Sequence, residues 1–359
     1  MTGFRGPGDP QSVNLRHHGD TEAGPGMVDL AVNVRMAGPP AWLRRVLADS
    51  LGTLGAYPRV EAARDAIAAR HGRRPSEVLV TAGAAEAFTL IARAFGRRRA
   101  VVVHPQFTEP EVALRVAGHA VERVLLSRAD GFALPRYGIP AGADMVVLGN
   151  PTNPTSTLHR GESVAALARD DRLLVVDEAF MDAVPGEPDS LAPYGDIPGA
   201  LVVRSLTKTW GLAGLRIGYV LADPDLVAAL AAVQPPWSVG TPALAAAVAC
   251  SSPLAVTEAA SMALATAAHR AYLLKRLAEL DGVEVAGIPA APFVLLQVRN
   301  GRKVRQRLRE RGYAVRRGDS FPGLGPTWMR VAVRDPQTTD GLLDAFHTVA
   351  LEGLLGAGR

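Results

Sequence analysis

Three stretches of this 359-residue chain carry side chains that could do chemistry. RSLTKTWGLAGLRIGY (204–219) places Lys208 just after a strand-like run, with hydroxyls at Ser205 and Thr207 and with Arg216 eight residues further on. LLVVDEAF (173–180) ends an apolar run on the carboxylate of Asp177. GNPTNPT (149–155) holds two Asn-Pro steps, which force extended or turn geometry and project amides, that of Asn153 among them. Taken singly, each is an ordinary loop at a strand end. The carboxylate alone is open to three readings: a metal ligand, an ion-pair partner, or a partner for a protonated ring nitrogen.

Together the three stretches match what pyridoxal 5'-phosphate requires. It needs a lysine to form a Schiff base, an aspartate for its pyridinium nitrogen and an amide near its phenolic oxygen. Its phosphate needs hydroxyls, a cation and backbone N–H groups. Ser205, Thr207 and Arg216 supply the first two, and TAGAAEAF (81–88), a strand, small-residue turn and helix start, can supply the third. Phe107, in HPQF, offers a flat face for the ring. GLAGLRIG precedes a strand instead of following one, so it is not a dinucleotide-binding loop.

The elements that must position these groups are legible as short β-branched runs. VLVTAG (78–83), AVVVHP (100–105), MVVLGNP (145–151), LLVVDEA (173–179), ALVVRSLTK (200–208) and GYVLA (218–222) are apolar on both faces and separated by helix-like stretches. That pattern predicts an α/β fold with a mostly parallel sheet between helices. GYVLA follows its predecessor too closely for a helical crossover and is expected to run antiparallel. Ligands of such sheets bind outside the carboxyl ends of the strands, where Gly83, Phe107, Asn153, Asp177 and Lys208 fall. Beyond about residue 250 the pattern changes to a long helix, the strands PFVLLQV, YAVR and WMRVAV, a basic helix and a closing helix, which reads as a smaller α+β domain. The expected division is a large domain over 50–250, a small one over 251–359, and residues 1–49 packing with the small one. The first dozen residues, rich in Gly and Pro, are expected to be mobile.

Composition narrows the class. Hydrophobic residues make up 48% and charged residues 21%, which excludes a disordered chain. The net charge of +4 comes without a basic tail, so nucleic acid is not an expected partner and small anions are. A single cysteine, Cys250, in an Ala-rich run, excludes an internal disulfide and reads as a buried helix residue. No uninterrupted apolar stretch reaches the ~18 residues of a spanning helix, and the N-terminus has no signal-peptide core. A cytoplasmic protein without a membrane partner is expected.

From about residue 14 to 346 the chain resembles fold-type I pyridoxal-phosphate enzymes of the class I/II aminotransferase superfamily, in the branch of histidinol-phosphate aminotransferases and the threonine-phosphate decarboxylases of cobalamin synthesis. The resemblance assigns Lys208 as the Schiff-base lysine, Asp177 to the ring nitrogen and Asn153 to the ring oxygen. It assigns Ser205, Thr207, Arg216 and the amides of Ala84 and Ala85 to the cofactor phosphate. Tyr57, in AYPR, resembles a tyrosine that reaches the cofactor phosphate of the other subunit, which implies a homodimer. Arg330, in WMRVAV, resembles an arginine that clamps the substrate carboxylate, a task suited to a forked guanidinium.

The same resemblance leans toward decarboxylation of a phosphorylated amino acid. RSLTK, Phe180 in place of a tyrosine, and HHGD (17–20) with His18 resemble the decarboxylases. Arg35 and the pair Arg316–Arg317 are candidate contacts for a substrate phosphate. A histidinol-phosphate-type transaminase is the alternative, and a non-catalytic regulator that binds the cofactor a remote third. Departures from both groups are Ser156 where Gly is usual, Ala85 where a polar residue is common, Pro110 where Tyr is, and Arg35 and Gly240 where Asn is. Asn33, Arg35 and the 237–241 segment are expected to line the substrate pocket.

Overall fold

The computed structural model describes residues 14–135 and 138–355; the Gly- and Pro-rich first dozen lie outside it. In chain order the elements are β1 (Val28–Leu30), α1 (Ala41–Ser50), α2 (Glu61–His71), β2 (Val78–Thr81), α3 (Ala84–Ala94), β3 (Arg99–His104), α4 (Glu109–Val116), β4 (Ala120–Leu125), β5 (Met145–Gly149), α5 (Gly161–Ala165), β6 (Leu173–Asp177), β7 (Ala200–Ser205) and β8 (Gly218–Ala222). They continue as α6 (Pro224–Ala232), α7 (Thr241–Cys250), α8 (Pro253–Leu277), β9 (Val283–Val285), β10 (Phe293–Val298), α9 (Gly301–Glu310), β11 (Tyr313–Arg317), β12 (Trp328–Ala332) and α10 (Pro336–Leu351).

Seven strands form one sheet in the order β2-β8-β7-β6-β5-β3-β4. Its strands run parallel except β8, which pairs antiparallel with both β2 and β7, as the short connection required. Alternation explains the unbroken apolar runs. Val101, Val103, Val146, Leu148, Leu174, Val176 and Val202 point into one core, with Leu43, Ile67 and Ala246 from α1, α2 and α7. Val102, Met145, Val147, Val175, Leu201 and Val203 point into the other, with Phe88, Leu90 and Leu230 from α3 and α6. Strand β4 escaped the sequence reading because it is a half-exposed edge, AVERVL, whose polar side chains break the apolar run.

The second sheet has the order β1-β11-β12-β10-β9, with β1 parallel to β11 and the other pairs antiparallel. Its core is lined by Leu296, Val298, Val315, Met329 and Val331 and closed by Leu273, Leu308, Leu342 and Phe346 of the helices. Residues 14–49 divide between the two sheets. Strand β1 joins the five-stranded sheet, but Leu43 of α1 is fully buried with the seven-stranded sheet's core, where α1 lies on α7. The long helix α8 contributes to both cores, Ala255 and Ala259 to one and Leu273 and Leu277 to the other.

The joint between β8, β7 and α3 has no room to spare. A Cβ on Gly218 would stand 2.8 Å from the Arg204 carbonyl oxygen and 3.0 Å from the Ala84 nitrogen. Gly218→Ala is expected to cost about 1–3 kcal/mol by overpacking, read as a lowered midpoint in chemical denaturation.

Candidate active site

The carboxyl ends of β2, β3, β5, β6 and β7 form one rim, and the expected residues meet there. Lys208 follows β7 in a tight turn, and Asp177 is the last residue of β6. Asp177 is buried, with its Oδ1 accepting the Ala179 N–H at 3.0 Å. Burial pushes its carboxyl up to about 6, while that N–H and the Lys208 charge pull back. Burial, then the Arg330 and Arg216 cations, push the Lys208 amine down to about 8, and Asp177 and Asp20 act the other way. Lysine, both arginines and Asp177 therefore share one electrostatic neighbourhood.

An anion cradle lies beside Lys208. The Ser205 and Thr207 hydroxyls are buried and 2.8 Å apart. Helix α3 opens at Ala84 with Gly83 as its N-cap, so the first-turn N–H groups of Ala84 and Ala85 face the rim. Gly83 has φ +83°, and a Cβ there would stand 2.6 Å from Arg216 Nη2. Only glycine lets the guanidinium approach the helix start this closely. Phe107 lies past the end of β3, its ring 5.7 Å from His18 and 6.5 Å from Phe88. A buried amine, a carboxylate beside it, a flat ring and a cradle of hydroxyls, guanidinium and helix N-terminus fit pyridoxal phosphate.

The five-stranded sheet brings arginines to the same rim. Arg316 and Arg330 are direct cross-strand partners of β11 and β12, so their side chains share a face. Both are buried. Arg330 donates to Asn153 Oδ1 and to the Ala31 carbonyl, and its guanidinium lies over the Phe293 ring at 5.2 Å. Arg316 donates to the His17 carbonyl at 2.7 Å and lies 4.8 Å over Phe321. Arg330 Nε, Arg316 Nη1 and the buried Asn33 Oδ1 make no hydrogen bond among the described residues. Burial, then the facing Arg316, push the Arg330 guanidinium below its ordinary value, and burial pushes Arg316 down to about 10. Glu22 lies 3.7 Å from Arg316 and offsets one of the two charges, so the pair can take a further anion.

Other expected residues are placed differently. The Arg35 guanidinium turns away from the rim to the Met262 carbonyl and the Thr266 hydroxyl of α8; only its backbone N–H stays, on the Lys208 carbonyl at 3.0 Å. It can hold the lysine turn but does not reach a substrate phosphate from there. Arg317 points to the opposite face from Arg316 and pairs with Asp319. His18 is held by Glu109 at 2.8 Å, tilted toward Phe107. Tyr57 is 72% exposed and stacks on Trp237 at 4.2 Å. Phe180 packs edge-on against Phe293, 5.0 Å away, and so buttresses the ring under Arg330. Gly240 caps α7, and Pro110 sits in the first turn of α4. Ser156 has φ +63°, which explains a family preference for Gly, and its Oγ accepts the Ala291 N–H at 2.8 Å.

Sequence reasoning passed over the partners of these residues. Glu109, which holds His18, carries no motif of its own, and Asp20, whose charge acts on Lys208, closes the HHGD stretch but was given no role. Glu178 and Arg204 stood inside the quoted motifs, but their ion pair needed the strand pairing to become visible. Among the described residues no group of His, Cys, Asp and Glu suits a metal, and no single helix is long and apolar enough to cross a membrane.

The charge at Lys208 is held against burial, so without cofactor it costs stability. Its folded value lies below the unfolded one, so the unfolded chain binds more protons between about pH 8 and 10.5 and stability rises across that window. Lys208→Met in the cofactor-free protein is expected to raise Tm at pH 7, by at most about 3 kcal/mol of stability, with the gain shrinking above pH 8. Thermal melts at pH 7 and 10 check this; an equal difference at both would contradict it.

The comparisons agree with the geometry. The family model "Aminotransferase class I and II" matches residues 25–346. A Mycobacterium tuberculosis protein named as a histidinol-phosphate aminotransferase is 48% identical over 322 residues, covering 89% of this chain and 87% of its own. A threonine-phosphate decarboxylase of Salmonella typhimurium is 30% identical over 335 residues, 90% of this chain and 91% of its own. Among solved structures, a histidinol-phosphate aminotransferase of Clostridium acetobutylicum has the same fold, with TM-score 0.83, 23% identity and coverage of 90% and 99%. An L-threonine-O-3-phosphate decarboxylase of Porphyromonas gingivalis superposes with TM-score 0.79 at 26% identity, with the same coverage. The chain is thus a pyridoxal-phosphate enzyme and belongs to the aminotransferase class I and II family.

Proposed function

We propose that this enzyme transfers the amino group of a small phosphorylated amino compound of the histidinol-phosphate type to a keto acid. The observation that carries this is the buried pair Arg316–Arg330, whose unbonded N–H groups would meet an anionic group of the substrate. The 48% identical relatives bear that name, and they support transamination over the decarboxylation that HHGD and Phe180 suggested. When bound, pyridoxal phosphate withdraws electrons from the carbon that carries the amino group.

In this reading Lys208 holds the cofactor and, once released, moves the proton at that carbon. Its depressed pKa suits a base near neutral pH. Asp177 stays ionised against the ring nitrogen. Asn153, whose Oδ1 accepts from Arg330, would donate its amide N–H to the ring oxygen and so would fix the substrate anion relative to the ring. Ser205, Thr207, Arg216 and the N–H groups of Ala84 and Ala85 would hold the cofactor phosphate, and Phe107 would offer its ring to the cofactor. Arg330 and Arg316 take the substrate anion, with Asn33 and His18 beside them.

The working unit we propose is a homodimer. Tyr57 and Trp237 are both mostly exposed, at 72% and 60%, and Leu51 and Leu54 are exposed beside them. Next to them a cavity of about 460 Å³ runs between α1, α2 and α7, lined by Val46, Tyr57, Leu244 and Val248. A second copy would cover this face and let Tyr57 reach the partner's cofactor phosphate. The setting we propose is the cytoplasm, where the lone buried Cys250 stays a thiol.

Loss of carbon dioxide from a phosphorylated amino acid is the second reading. It is favoured by the Salmonella typhimurium relative and by the His18 ring held over Phe107. Two assays on the pyridoxal-phosphate-loaded enzyme separate them. Histidinol phosphate with 2-oxoglutarate is expected to yield glutamate, and Arg330→Ala to lower kcat/KM by about 100-fold or more. O-phosphothreonine without keto acid is expected to release no carbon dioxide. Catalytic release of carbon dioxide and aminopropanol phosphate would reverse the assignment.

A further inference from the structure

Behind the rim, β6 and β7 carry a buried ion cluster that none of these roles uses. Glu178 directly follows Asp177, and Arg204 directly precedes Ser205. The two strand ends are locked by the Glu178 N–H on the Val203 carbonyl at 2.8 Å. Arg204 is 1% exposed. Its Nη1 donates to Glu178 at 3.0 Å, Glu187 at 2.7 Å and Ser190 at 3.3 Å, and its Nη2 donates to Asp182.

The elements packed around the cluster supply its other charges. Arg70 of α2 donates to Asp182 at 3.1 Å and lies 3.8 Å from Glu187. His71 and the Tyr219 hydroxyl are 2.8 Å apart, and burial with the Arg204 and Arg70 charges pushes the imidazole far down, so it stays neutral. Two guanidinium groups thus face three carboxylates, leaving one negative charge in excess.

Glu178 is the member that matters for the rim. Ser190 Oγ and the Leu191 N–H, each at 2.6 Å, join Arg204 on its carboxylate. The Arg204 and Leu191 groups are obligate donors, and the serine hydroxyl can donate too, so the ionised form accepts all three. Burial raises its carboxyl and Arg204 pulls it back. Its charge in turn raises Asp177, the residue just before it.

We propose that Arg204 is a positioning residue for the cofactor: by neutralising Glu178 it lets the adjacent Asp177 stay a carboxylate opposite the ring nitrogen. This rests on the roles proposed above for Asp177 and Lys208. Without Arg204 the cluster carries two excess negative charges, and Asp177 favours its protonated form. The ring nitrogen then loses its ionised partner, the ring withdraws fewer electrons, and the Lys208 nitrogen bonded to the cofactor becomes more basic.

The test uses the pyridoxal-phosphate-loaded enzyme and reads two quantities besides turnover: cofactor Kd, and the pH midpoint of the cofactor's visible absorption. Arg204→Met is expected to raise the midpoint by about one pH unit and to weaken cofactor binding about tenfold. Glu178→Gln is expected to lower the midpoint. The double variant R204M/E178Q restores the wild-type charge sum and is expected to bring both quantities back most of the way. An unchanged midpoint in R204M overturns the proposal, and so does a double variant as impaired as R204M, because lost packing would then explain both. If R204M does not fold, E178Q decides: a lowered midpoint supports the proposal and an unchanged one overturns it. Asp177→Asn is the control. If it leaves the midpoint untouched, the role of Asp177 itself fails, whereas a shifted control with an inert R204M places the failure at Arg204 alone.

Discussion

The structure depends on holding charge where burial opposes it. Lys208 sits near two arginines that destabilise its proton, and Asp177 is buried beside an acidic neighbour that destabilises its charge. Neither arrangement serves an empty protein. A cofactor carrying a phosphate, a ring oxygen and a protonated nitrogen supplies each of these groups with a partner, so the local cost becomes binding energy. The same holds across the rim, where Arg316 and Arg330 face each other with Glu22, 3.7 Å from Arg316, as the carboxylate beside the pair.

That cost is tolerable because the supporting strands are rigid. All five residues of β5 and of β6 are buried, and all six of β7. Their side chains alternate between two separate apolar cores, so each strand is fixed from both faces. The polar groups lie within four residues of the strand ends, too short a distance for the chain to swing. Where the chain must turn sharply, special residues appear: Gly83 lets Arg216 approach the start of α3, and Ser156 takes a left-handed conformation steadied by its own side chain.

Much of this was legible because parallel strands buried on both faces write unbroken apolar runs, and functional groups follow their carboxyl ends. Gly83, Phe107, Asn153, Asp177 and Lys208 were placed at one rim by that rule, and Arg216 was read from the stretch that carries Lys208. What failed had no local signature. Strand β4 is an edge with mixed polarity. Arg35 was expected near the substrate, but α8 offers its guanidinium a carbonyl and a hydroxyl from a helix more than 200 residues away in sequence. Arg316 and Arg317 were read together, yet strand alternation sends one to the rim and the other to Asp319. Arg204 looked like a residue on the way to Lys208, because its three carboxylate partners lie on a strand end and the loops that follow it.

The two sheets divide the work. The seven-stranded sheet carries the lysine, the aspartate and the phosphate cradle, and the five-stranded sheet carries the arginines. Arg330 on Asn153 joins them beside the candidate site; Ser156 on the N–H groups of Ala290 and Ala291, and Arg128 on Glu284 and Gln297, join them elsewhere. A change in the small sheet can therefore re-aim the substrate anion without disturbing the lysine or the cradle. In the proposed reading that aim would set which substrate bond is placed for cleavage, since the anion would be the substrate's handle. Relatives named for amino transfer and for decarboxylation can thus share one fold and one set of strand-end residues. In the proposed reading the groups that would aim the substrate anion are Arg316, Arg330 and the N-terminal segment at His17, whose carbonyl accepts from Arg316.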